Sequence, residues 1–179
     1  MRLGLTPHPD FPADAITALE VEIARAGPER LELVYRVRGD IAGLLVPATA
    51  DAERTDGLWA STCFELFAKP AGGEAYCEFN FAPSSQWAAY AFDEYRAGMR
   101  ELALETPAID MLATDDAFEL RVAVEASALR AGAHMAVTAV VEEASGARSY
   151  WSVRHAPGKP DFHHAESFAI EAPANEVGE

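Results

Sequence analysis

Three polar side chains stand out because they interrupt strand-like sequence: Glu65 in TCFELFA, and Glu78 and Asn80 in AYCEFNFA. In a strand successive side chains point to opposite faces. If Phe64, Leu66, Phe79 and Phe81 turn inward, Glu65, Glu78 and Asn80 gather on the other face. Two carboxylates and an amide can accept and donate hydrogen bonds to a hydroxylated ligand. Trp59 and Trp87 bracket them in sequence and offer aromatic faces. Carried across Pro83-Ser84-Ser85-Gln86, the same register puts Ala88, Tyr90 and Phe92 in the core and Trp87, Ala89 and Ala91 beside the polar groups. The alanines would then leave a recess, with Trp87 as a stacking wall. The competing reading is an ordinary solvent face, where Glu and Asn are at home. A glycosidase-type carboxylate pair needs a separation and a raised pKa for which spacing gives no sign.

A second group of chemically able residues lies in YWSVRHAPGKPDFHHAESF, where His155, Asp161, His163 and His164 surround a Pro-Gly-Lys-Pro turn. Their types suit zinc, but their spacing matches no metal motif, and hydrogen bonds that close a loop are the expected role. Arg96 could clamp a carboxylate or a pair of hydroxyls, with a salt bridge to an acid as its plainer use. Trp151 shares its parity with Val153 and fits a core position, with Tyr150 and Arg154 facing outward. Cys63 and Cys77 fall on opposite faces, so no disulfide is expected between them. P-loop, dinucleotide and nucleophile-elbow motifs are all missing, which points away from an enzyme.

The elements that must position these residues are short strands. Leu19, Val21 and Ile23 alternate with polar residues over Ile16 to Arg25, and Leu31, Leu33, Tyr35 and Val37 supply an antiparallel partner after a Gly27-Pro28 turn. Ile41 to Val46 could add a short strand. Further strands are expected at Thr62–Ala68, Ala75–Ala82, Trp87–Glu94, Phe118–Glu125, Ala136–Glu142, Ser149–His155 and Ser167–Glu171. Helical turns are expected at Ala126–Ala131 and at the start of the PSSQ turn, and Ala97–Leu104 has helical residues that Gly98 and Thr106-Pro107 keep short. Strands without regular intervening helices predict an all-β, antiparallel β-sandwich.

Composition narrows the partners. The chain has 179 residues, enough for one domain over 1–179, and its net charge of −15 would repel nucleic acid and an anionic membrane surface. Neither a secretory h-region nor a membrane-length apolar run is present, so a cytoplasmic location is the default expectation.

The phrases LWASTCFELF, YCEFNFAPSSQWAAYAFDEYRAGM and SYWSVRHAPGKPDFHHAESF resemble a bacterial subgroup of the DOMON-like superfamily that is similar to the family-nine carbohydrate-binding modules. The resemblance implies a jelly-roll sandwich of about ten strands and a non-catalytic ligand site on a concave sheet face. It implies a saccharide held between aromatic rings, with Trp87 and either Trp59 or Trp151 as the aromatic part and Glu65, Glu78, Asn80 and Arg96 as the polar part. Other DOMON relatives bind haem through Met and His, which would draw on Met99, Met111 or Met135 with His134 or His155. A metal site and a protein-interaction face are the remaining alternatives. No cofactor is expected from the leading reading.

Overall fold

The structure is a computed structural model and describes residues 1–174. Twelve strands form it: β1 (Arg2–Pro7), β2 (Ile16–Arg25), β3 (Arg30–Gly39), β4 (Cys63–Lys69), β5 (Tyr76–Phe81), β6 (Trp87–Phe92), β7 (Arg100–Glu101), β8 (Ala108–Ala113), β9 (Ala117–Glu125), β10 (His134–Glu142), β11 (Arg148–Ser152) and β12 (Ile170–Glu171). The order along the sheet is β7-β6-β5-β4-β10-β11-β1-β2-β3-β9-β8, with β12 added to β10, and every named pairing is antiparallel.

The expected sandwich of separate sheets is therefore one continuous curled sheet. β1 makes the join, because Arg2–Leu5 pair with β2 while Thr6 and Pro7 pair with β11. The curl brings β3 and β9 against β4. Tyr35 lies 4.9 Å from Phe64 between ring centroids, Phe64 lies 5.7 Å from Phe118, and the Tyr35 hydroxyl donates to the Glu65 carbonyl at 3.1 Å. The alternating residues of β2 and β3 fill this core, as their period of two predicts: Leu19, Val21, Ile23, Leu31, Leu33, Tyr35 and Val37 are all buried.

Several local expectations are corrected. Ile41–Gly43 is a single 3-10 turn, with Leu44 making only an isolated bridge to Glu143. The PSSQ segment is a turn without helix, and Arg100–Glu101 is a two-residue strand within the segment of helical residues Ala97–Leu104. β1 and β8 are not legible as strands in the sequence: the first holds Gly4 and ends at Pro7, and the second carries Asp110 in the middle of an apolar run. No helix among the described residues is long and apolar enough to cross a membrane.

The decisive feature for the site is that β4, β5 and β6 are covered on both faces. Phe64, Leu66, Phe79, Phe81 and Ala89 join the main core. Phe67, Tyr76, Ala88, Tyr90 and Phe92 form a second, smaller apolar cluster with Ala136, Val140 and Phe162. Phe162 belongs to the segment between β11 and β12, which folds back over this outer face. A strand covered on both sides reads as a nearly continuous apolar run, which accounts for CFELFA and WAAYAF.

Candidate functional site

Between the outer face and its covering segments lies a cavity of about 720 Å³, within the range of small-molecule sites. Its floor is the sheet: Glu65 and Phe67 of β4, Glu78 of β5, Tyr90 and Phe92 of β6, Val140 of β10 and Tyr150 of β11. The connection before β4 supplies Arg54, Asp56 and Trp59. The β6–β7 hairpin supplies Arg96 and Met99, β7 supplies Glu101, and the segment after β11 supplies Pro160, Phe162 and His163.

The outer face is not solvent surface, for Glu65 is 3%, Glu78 6% and Asn80 0% exposed. Asn80 sits directly opposite Glu65 in the β4–β5 ladder. Its Nδ2 donates to Glu78 Oε1 at 2.9 Å, while its buried Oδ1 has no partner. Thr138 of β10, also paired with Glu65, donates to Glu65 Oε2 at 3.2 Å. Burial, followed by the neighbouring Glu78 charge, pushes the Glu65 carboxyl up to about 8 against the pull of Thr138. Burial also raises Glu78, opposed by the Asn80 hydrogen bond and the Arg96 charge. The shift favours the protonated form of Glu65, and a protonated carboxyl opposite Asn80 can satisfy that orphaned Oδ1.

His163 closes one side. Tyr76 Oη accepts the Arg96 backbone N–H at 3.2 Å and lies 2.8 Å from His163 Nδ1. With its own proton directed to Nδ1, the hydroxyl fixes the hydrogen of the ring on Nε2, which faces Glu78 Oε2 at 3.7 Å. Burial first, then the Arg96 charge, drive His163 down to about 4. The imidazole is neutral at pH 7, so its proximity to Glu78 is not an ion pair.

Asp161 ties the covering segment to the β6–β7 hairpin. Tyr95 Oη donates to it at 2.6 Å, Arg96 Nη2 at 2.8 Å and the His163 backbone N–H at 3.1 Å. Burial opposes ionisation of Asp161, but the hydrogen bonds from Tyr95 and Arg96 hold it below the usual carboxylate range. The hairpin turns tightly with Arg96 at φ +53° and Gly98 at φ +67°, and a Cβ on Gly98 would collide with Asp93. Across the cavity, Tyr90 Oη donates to Asp56 at 2.5 Å, and Arg54 pairs with Asp56 at 3.0 Å and Glu101 at 3.4 Å while lying 5.3 Å over the Tyr90 ring.

Of the residues singled out in the sequence, Trp59, Glu65, Glu78 and Arg96 meet at this cavity, and Asn80 braces it from below. Trp87 does not face it. The five-residue turn Ala82–Gln86 pairs Phe81 with Trp87 and Glu78 with Tyr90, so Trp87 and Ala89 enter the core while Ala88, Tyr90 and Phe92 join the polar residues. The inward and outward sets of β6 are the reverse of the expected ones, because cross-strand partners share a face and the turn has an odd number of residues. Trp151 also lies in the core, its Nε1 donating to Ser149 at 2.9 Å. Tyr150, expected to face outward, is half-buried against Phe162.

The histidine cluster disperses into local bonds: His155 Nε2 meets the Thr6 carbonyl at 2.8 Å, and His164 Nδ1 accepts the Glu166 N–H at 3.2 Å. Among the described residues no group of three His, Cys, Asp or Glu could hold a metal ion. For the haem alternative, Met135 is in the core, Met111 packs at its edge and Met99 is exposed at the cavity mouth. Cys63 lies on the Glu65 face and Cys77 packs against the main core, both as free thiols. Arg54, Asp56, Tyr90 and Phe162 were not legible as cavity residues; an Arg-x-Asp pair in an acidic connection carries no spacing signal.

No family model and no curated protein sequence matches the chain. Among solved structures, the chain is similar to a 2.70 Å crystal structure of "a putative carbohydrate-binding protein" from Bacteroides uniformis ATCC 8492, with a TM-score of 0.61 and 16% identity over 92% of this chain and 84% of that one. The similarity is one of all-β fold.

Proposed function

We propose that this chain, over 1–179, is a non-catalytic binding module whose cavity takes a saccharide or a similarly hydroxylated small molecule. The observation that carries the reading is the combination of an exposed indole at the mouth with unpartnered carboxylate oxygens at the floor. Trp59 is 57% exposed on a 3-10 turn (Leu58–Ala60) that borders the cavity. A large aromatic face left in water is suited to stack on a sugar ring. Glu65 Oε1 and Glu78 Oε2 have no hydrogen-bond donor among the described residues. Ligand hydroxyls can supply those donors. The carbohydrate-binding description of the B. uniformis protein agrees with this reading, and so does the resemblance to DOMON-like and family-nine modules, whose jelly roll we take the curled sheet to represent.

Calorimetric titration with a panel of neutral mono- and disaccharides tests the proposal. Binding should quench or shift Trp59 fluorescence and vanish in Trp59→Ala. A panel in which no saccharide binds at millimolar concentration, with the protein folded, would overturn it.

A further inference from the structure

Buried acids in proteins are normally paired with a cation or neutralised. At this cavity the pairing is uneven. Arg54 pairs through Nη1 with Asp56 and Glu101, its Nε and Nη2 being buried without a partner among the described residues, and Arg96 is matched by Asp161. Among the described residues neither carboxyl on the floor has an ion-pair partner: burial favours the protonated form of Glu65, Glu78 feels the Arg96 charge without a contact to it, Thr138 and Asn80 are uncharged, and His163, 3.7 Å from Glu78, is held neutral. Both acids line the cavity, and one oxygen of each has no hydrogen-bond donor among the described residues. Around them stand the rings of Phe67, Tyr90, Phe92, Tyr150 and Phe162. Aromatic faces carry negative quadrupole potential and attract cations. An apolar ring wall that encloses unpaired carboxyls is poorly suited to a purely neutral guest and well suited to a positive one.

We propose that the floor of the cavity receives a protonated amine, donated as a counter-ion to Glu78 and Glu65 and walled by the aromatic rings, so that the ligand is an amine-bearing sugar or related hydroxylated ammonium compound. This rests on the binding reading above and narrows it. The amine N–H groups go to Glu78 Oε2 and Glu65 Oε1, and the hydroxylated remainder extends toward Trp59. Arriving positive charge also displaces the Glu65 proton to solvent. Glu65 is faced by Glu78 and Asn80 from β5, by Thr138 from β10 and by Cys63 along β4, with Tyr90, His163 and Arg96 around Glu78.

Titration calorimetry at pH 7 with glucose, glucosamine, N-acetylglucosamine, choline and putrescine, repeated in two buffers of different ionisation enthalpy, tests this. Glucosamine should bind at least tenfold more tightly than glucose and N-acetylglucosamine, with up to one proton released per ligand, and Glu78→Gln should lose the preference while still unfolding cooperatively. The proton count on the unmodified protein stands even if that variant fails to fold. Equal affinity for glucose and glucosamine would overturn the amine inference and leave saccharide binding intact. Tight binding of putrescine or choline without any sugar would uphold the amine and overturn the saccharide. No binding by any of the five would overturn the amine inference, and the neutral panel above then decides the saccharide reading separately.

Discussion

Asn80 lies directly across the β4–β5 ladder from Glu65 and donates its amide hydrogen to Glu78, so one buried side chain links the two acids. The relationship depends on parity. Glu65 pairs with Asn80 and Phe67 with Glu78, which makes the acids diagonal neighbours on one face, with Cα atoms about 7–8 Å apart.

Asn80→Ala removes the only donor to Glu78 Oε1 among the described residues and the acceptor opposite Glu65. A buried acceptor deprived of its partner costs about 1–3 kcal/mol. Urea unfolding at pH 7 should show that loss as a lowered midpoint with an unchanged slope. An unchanged midpoint would mean that the amide bridge contributes nothing.

The raised Glu65 carboxyl makes a signed prediction about pH. Between its ordinary value and about 8 the folded state holds a proton that the unfolded state has released, so stability falls as pH rises through that interval and levels off above it. His163 works in the opposite direction. Its folded value near 4 lies below the ordinary 6.5, so stability rises with pH across that window and gains nothing further above it. The two oppose each other in mild acid, and the Glu65 contribution remains between about pH 6.5 and 8. Stability should therefore decline over this upper interval by about 1–2 kcal/mol. Glu65→Gln should flatten the decline, as read from denaturant midpoints at half-unit pH steps; a slope that persists in the variant would assign it elsewhere.

Asp161 holds the segment after β11 against the β6–β7 hairpin through Tyr95, Arg96 and the His163 amide. Because Arg96 is half exposed, the ion pair itself is screened and contributes little. The hydrogen bonds together should make Asp161→Ala cost about 1–2 kcal/mol. Hydrogen exchange is the sharper measurement: amides around Phe162 to His164 should lose protection while β4 and β10 keep theirs. Uniform loss across the sheet would show that the clamp supports the whole fold.

How far sequence could reach is clear from β5 and β6. On β5, Glu78 and Asn80 alternate with Phe79 and Phe81, and parity alone separates the polar pair from the core. On β6, WAAYAF is apolar at every position, so alternation is silent, and the face of each residue depends on the turn that precedes it. Ser85 adopts φ +79° there, which a serine in a PSSQ string does not announce. The burial of the outer face was equally hidden. It depends on Phe162 and His163 crossing from a segment about 80 residues away, a long-range packing event that local pattern does not encode.

The three tryptophans separate these two kinds of knowledge in one experiment. Trp87 and Trp151 are 6% and 3% exposed within the core, whereas Trp59 is 57% exposed at the cavity mouth. Trp87→Ala removes a core side chain and should cost about 3–5 kcal/mol. Trp59→Ala deletes a ring that is mostly exposed and outside the core, and its effect on stability should stay within about 0.5 kcal/mol. Acrylamide should quench one of three emitters in the native protein, and that fraction should disappear in Trp59→Ala. If Trp87 were on the cavity side, as an even-membered turn of Pro83–Gln86 alone would have it, two emitters would respond and Trp87→Ala would be mild. The two registers therefore predict opposite orders for the same pair of variants, and a denaturation curve of each decides between them.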